Sequence, residues 1–144
     1  MRLRCRTMEL QGVMLCDSAS VKGNRISVLG GGLDAAYAPS FPTQLHAYFA
    51  AVLRFDWLDH RQPRHTLTLT CRDESGAQVG EFTIIVTLGE SNLDCFGPDD
   101  VSILPVAIPL ADLTLPATGN YEIALAVDEL AMTSLPLRVL QAES

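Results

Sequence analysis

The chain has 144 residues, 48% of them apolar and 19% charged, enough for one domain with its own core and too apolar for a disordered chain. Seventeen Asp and Glu against ten Lys and Arg leave a formal charge of −7. That field repels phosphate backbones and anionic lipid, so neither nucleic acid nor a membrane is expected as a partner.

The chain opens on MRLRCRT, read as a flexible N-terminal leader over residues 1–7, with a single β-sandwich domain expected over 8–144. The amphipathic pattern begins at Met8, which makes Met8 an alternative start to Met1. The stretch MRLRCRTMELQGVMLCDS imitates a lipoprotein signal, but Glu9 and Gln11 interrupt its apolar part and Leu15 stands where a small residue is needed before Cys16. A cytoplasmic location is therefore expected. Cys5, Cys16, Cys71 and Cys95 lie far apart with no C-x-x-C pair, which favours reduced structural thiols over a zinc site.

Next come two strands, MELQGVMLCD and RISVLG, joined through a turn at Gly23-Asn24. Gly30, Gly31 and Gly32 have neither the P-loop nor the Rossmann spacing, and no helix pattern follows them, so they read as chain reversal and not as a phosphate cradle. Asp17, Ser18 and Ser20 lack a G-x-S-x-G elbow or any comparable frame for a nucleophile. Asp17 reads as a turn or cap residue whose carboxylate accepts backbone N–H bonds.

TQLHAYFAAVLRF fits two templates. Leu45, Ala47, Phe49, Ala51, Leu53 and Phe55 alternate as in a strand, while Leu45, Tyr48, Phe49 and Val52 also fit a helix after a Thr43 cap; residues 45–55 are read as a strand. FDWLDHRQPRH then concentrates Asp56, Asp59, His60 and His65 around Trp57. Two imidazoles and two carboxylates are divalent-metal donors, but without regular ligand spacing a polar connection anchored by Trp57 is the preferred reading.

TLTLTCRDESGAQVGEFTIIVTL reads as a hairpin: Leu67, Leu69 and Cys71 alternate with threonines, Asp73 to Gly76 turn the chain, and Phe82, Ile84, Val86 and Leu88 resume the apolar face. Val79 breaks the parity, and a β-bulge beside Gly80 restores it. GESNLDCFGPDD gathers Glu90, Asp94, Asp99 and Asp100, but one acidic loop without a D-x-D-x-D/N pattern supplies few calcium oxygens, so these read as solvated acids. VSILPVAIPL carries Pro105 and Pro109 on one side, the mark of an edge strand or a broken one. In NYEIALAVD, Tyr121, Ile123, Leu125 and Val127 share a face; in ELAMTSLPLRVL, Ala131, Thr133, Leu135, Leu137 and Val139 do, with Asp128-Glu129 as the turn between the two strands.

Seven to nine short strands, at most one short helix and no βαβ rhythm predict an all-β fold, an antiparallel two-sheet β-sandwich of immunoglobulin-like type. The strand ending in LCD, then KGNRISVLGGG, the proline-marked SFP, the hairpin and the C-terminal GNYEIALAVDELAMTSLPLRV resemble a family of small bacterial proteins classed as a domain of unknown function. The resemblance implies a β-sandwich and assigns no reaction or functional residue. With no catalytic frame, the expected function is a non-enzymatic binding or assembly module without a cofactor. It would act through sheet edges or loops on a protein partner or by self-association as a homo-oligomer. The rival expectation is a metal-dependent binder or hydrolase using Asp56, Asp59, His60 and His65; a third is a small apolar ligand held between the sheets.

Overall fold

The computed structural model of the chain describes residues 9–56, 64–87 and 101–142, and those residues form strands and turns with no helix among them. The strands are β1 (Glu9–Cys16), β2 (Ser18–Lys22), β3 (Arg25–Leu29), β4 (Ala35–Ala38), β5 (Thr43–Gln44), β6 (Tyr48–Asp56), β7 (Arg64–Arg72), β8 (Gln78–Thr87), β9 (Val101–Pro109), β10 (Thr114–Leu115), β11 (Gly119–Val127) and β12 (Leu130–Gln141). They pair into a three-stranded sheet in the order β1-β6-β9, a five-stranded sheet in the order β4-β12-β11-β7-β8, and the two-stranded pairs β2-β3 and β5-β10. Every pairing is antiparallel except that of β4 with β12.

The alternation in the sequence becomes burial. Phe49, Ala51, Leu53 and Phe55 of β6 all lie in the core, as do Leu67, Leu69 and Cys71 of β7 and Tyr121, Ile123, Leu125 and Val127 of β11. The β6 sheet and the β11 sheet turn these faces into one continuous apolar cluster. The helical alternative for 45–55 loses because β6 is paired with β9 along its whole length and with β1 from Tyr48 to Arg54. As expected, β9 with its two prolines is an edge strand of its sheet.

Two turns follow their residues. Gly23, at φ 65, takes the first central position between β2 and β3, where a two-residue hairpin loop favours glycine. Asp128 and Glu129, at φ 50 and 71, make the two-residue turn between β11 and β12, a pair of positive φ values that matches the twist of the flanking strands. The bulge predicted beside Gly80 is present: Cys71 pairs with Gly80 and Arg72 with Gln78, so Val79 is the extra residue.

Three expectations change. The strands divide among four sheets, not two, because the chain bends at Asp17 and β2-β3 leaves the β6 sheet to fold over its other face. There Ala19, Ile26 and Val28 cover Cys16, Ala50, Tyr48 and Ala107 in a second, smaller apolar cluster. The strand count is higher than seven to nine, in part because two strands of two residues each, Thr43–Gln44 and Thr114–Leu115, form a pair that no period-two pattern can announce. In β12, Leu125 pairs with Thr133 and Ala126 with Ala131, skipping Met132; this bulge puts Met132 against the core and leaves Ala131 exposed.

Candidate functional site

A concavity lies behind β4. After the turn at Gly30, the N–H groups of Gly32 and Leu33 both donate to the carbonyl of Leu15, at 3.0 and 2.9 Å, which fastens the crossing chain to β1. Gly30 is needed at that crossing because the Asp17 carboxylate lies over its α-carbon, where a Cβ would collide with it. Arg138 then donates to the Asp34 carbonyl at 2.9 Å, and Ala142 to the Ala38 carbonyl at 2.8 Å, setting β4 parallel to β12. Opposite, Leu45 donates to the Leu113 carbonyl at 3.1 Å, so that β5 and β10 form the other wall.

Between these walls is a cavity of about 450 Å³, within the range of small-ligand sites. Its floor is apolar, built from Leu45, Leu115 and Val139, each buried, with Leu33 beside them. Its rim is polar: Asp17, Gln44, His46 and the hydroxyl-bearing ring of Tyr37, which is 66% exposed. Among the described residues the Asp17 carboxylate has no hydrogen-bond or ion-pair partner, although its backbone N–H donates to Leu29 at 3.0 Å. The predicted turn role of Asp17 is thus carried by its main chain, and its charge is left for the cavity mouth. Ser18 and Ser20 lie on β2 and do not line this space. Its lining combines that apolar floor with one carboxylate, the His46 imidazole and the hydroxyls of Tyr37 and Thr43.

The metal set expected from the sequence is only partly within the described residues. Asp59 and His60 fall outside them. Asp56 ends β6 and His65 lies in β7, strands of different sheets. His65 is 5% exposed and its Nδ1 lies 2.7 Å from Oδ2 of Asp128. Thr66 donates its N–H to Oδ1 of the same carboxylate at 2.9 Å, and the Asp128 N–H returns a bond to the Thr66 carbonyl at 2.8 Å. Burial pushes the Asp128 carboxyl up, and the Thr66 N–H, the His65 hydrogen bond and the imidazole charge together outweigh it, holding the group below its ordinary value. Among the described residues no three His, Cys, Asp or Glu side chains converge as metal ligands would. Glu90, Asp94, Asp99 and Asp100 of the acidic segment also lie outside the described residues, as do Cys5 and Cys95.

Cys16 and Cys71 are free, buried thiols in separate apolar clusters. Burial, followed by the charge of Asp73, pushes Cys71 up to about 11; burial and then Asp17 raise Cys16 as well. Sequence reasoning missed His46, Tyr37 and Asp128. The first two are separated from Asp17 by strands whose pairing is not local, and only the register of β11 against β7 brings Asp128 to His65. No helix among the described residues is long and apolar enough to cross a membrane.

No curated protein matches the chain significantly. A family model does match it, over residues 11–140, from within β1 to the last residues of β12. By that match, which takes in the cavity and both large sheets, the chain belongs to DUF6941, a family of unknown function.

Proposed function

We propose that the chain is a non-enzymatic binding module, an immunoglobulin-like sandwich in architecture, that acts in the cytoplasm by holding a positively charged group with an apolar body in the cavity behind β4. One observation carries this reading: an apolar floor of Leu45, Leu115 and Val139 under a mouth where the Asp17 carboxylate is unpaired among the described residues. An acid left without a partner beside apolar surface favours a cation that brings its own hydrocarbon. The sandwich reading is supported by the larger core cluster, which the β6 and β11 sheets share, and the cytoplasmic one by the free thiols of Cys16 and Cys71.

Titration of isotope-labelled protein with hexylamine, hexanol and hexanoate tests it by amide shifts. The amine is expected to move Leu33, Tyr37, Leu45 and Leu115 together, hexanol to move them less and hexanoate least, with the amine response reduced in Asp17→Asn. Equal shifts for amine and carboxylate, or none near the cavity, would overturn the reading.

A further inference from the structure

The sheet edges differ in how they are closed. β4 is an edge only four residues long. β9 has Pro105 and Pro109, two positions without a ladder donor, and the ladder of β1 is interrupted by a register shift between Leu10 and Gly12. These are the devices that keep a sheet from pairing with another chain. Of the four edges of the two large sheets, β8 is the exception. From the bulge at Val79 onward it runs straight through Glu81, Phe82, Thr83, Ile84, Ile85, Val86 and Thr87 with no proline and one charge. It pairs with β7 on one side, and among the described residues no strand pairs on the other. Ile85, on its outward face, is 56% exposed.

We infer that β8 is a self-pairing edge: two copies of the chain join β8 to β8 antiparallel about a two-fold axis, making one sheet continuous across both protomers. This surface is distinct from the cavity behind β4 and does not depend on the function proposed for it. The occupant is a second copy because the strand is complementary to itself. A two-fold centred on Thr83 sets Thr83 against Thr83 and each Glu81 against Ile85 of the second copy, so the single charge of the stretch never meets its own kind. Core-facing Phe82, Ile84 and Val86 stay on the core side in both copies, as a perpendicular two-fold requires. Beside them Thr66, Thr68 and Thr70 of β7 continue the outer face with small side chains.

The test is the mass of the intact chain by size-exclusion with light scattering from about 10 to about 500 µM, where self-association must appear by mass action. The wild type is expected to move toward twice its 15.6 kDa, with hydrogen exchange at 81–87 slowing as concentration rises. Thr83→Lys, an exposed substitution that faces itself at the axis, should return the mass to that of the monomer with the melting temperature of the dilute wild type, and Ile85→Glu should do the same. A wild type that stays monomeric throughout, a dimer that both variants leave intact, or slowed exchange elsewhere than 81–87 overturns the inference.

Discussion

Nδ1 of His65 and Oδ2 of Asp128 sit 2.7 Å apart although the residues are 63 positions apart in the chain, so the start of β7 and the turn between β11 and β12 are tied by one buried imidazole. Asp128→Ala removes this bond and the one from the Thr66 N–H together. The expected loss is about 1–2 kcal/mol, toward the low end because the Asp128 side chain is 40% exposed and screened by solvent. Urea denaturation read by tryptophan fluorescence or circular dichroism measures it, and Asp128→Asn, which keeps an acceptor and tolerates the positive φ, should lose less.

The same carboxylate gives the acid limb of stability a direction. Asp128 is held below its ordinary value, and so is Asp73, chiefly by the Ser75 hydroxyl at 2.6 Å with help from the N–H groups of Ser75 and Ala77. A carboxyl whose folded value is depressed contributes stability above its unfolded value, near 4, and loses it as pH falls through the folded value. The contribution of these two carboxyls to unfolding free energy should therefore be unchanged from neutrality down to about pH 5 and drop below about pH 4. In Asp128→Ala the drop should be shallower. An identical acid limb in the variant would remove Asp128 from the account.

Glu129 occupies a left-handed conformation, φ 71, that a residue with a Cβ enters at a cost. Glu129→Gly relieves about 1–2 kcal/mol of strain and gives back part of it through the freer unfolded chain, for a net gain of roughly 0.5 kcal/mol. A higher melting temperature is the expected readout.

Gly80 sits under Leu113, whose Cδ1 occupies the place a Cβ would take, and Leu113 is 2% exposed with nowhere to retreat. Gly80→Ala should destabilise the chain by about 1–3 kcal/mol, the usual cost of overfilling a packed site. Thr83→Ala on the exposed face of the same strand is the control.

Cys71, pushed up to about 11 from 9.0 and 3% exposed, has about a hundredfold less thiolate at neutral pH than an ordinary cysteine. Iodoacetamide should leave Cys71 and Cys16 unmodified in the folded chain and label both in urea, as peptide mass mapping will show. Rapid labelling of Cys71 without denaturant would contradict its place in the core.

Where the physics is local, the sequence carried the fold. The Leu67-Thr68-Leu69-Thr70 alternation, the parity break at Val79 and the Asp128-Glu129 turn each involve neighbours in the chain, and each appears in place. What was not legible depends on pairings between distant segments. Ala35–Ala38 has no alternation to mark it, and lies on β12 through a parallel ladder flanked by the Arg138 N–H on the Asp34 carbonyl and the Ala142 N–H on that of Ala38. The bend at Asp17, which separates β2-β3 from β1, is set by where Leu15 receives Gly32 and Leu33. The cavity is the joint product of these events, which is why Asp17 reads locally as a turn residue and neither Tyr37 nor His46 carries a signal in the sequence around it. The metal reading of the 56–65 segment took His65 as a loop ligand. Its burial in β7 follows the alternation that Leu67 and Leu69 continue.

The parallel pairing of β4 with β12 also orders events in time. Ala35–Ala38 leaves the ribosome long before Arg138–Gln141, and until that partner is synthesised it has no strand to lie on. Contacts so distant form late and slowly. During synthesis the inner hairpins can zip as they emerge, while the pocket behind β4 waits for the C-terminal strand to give it a wall.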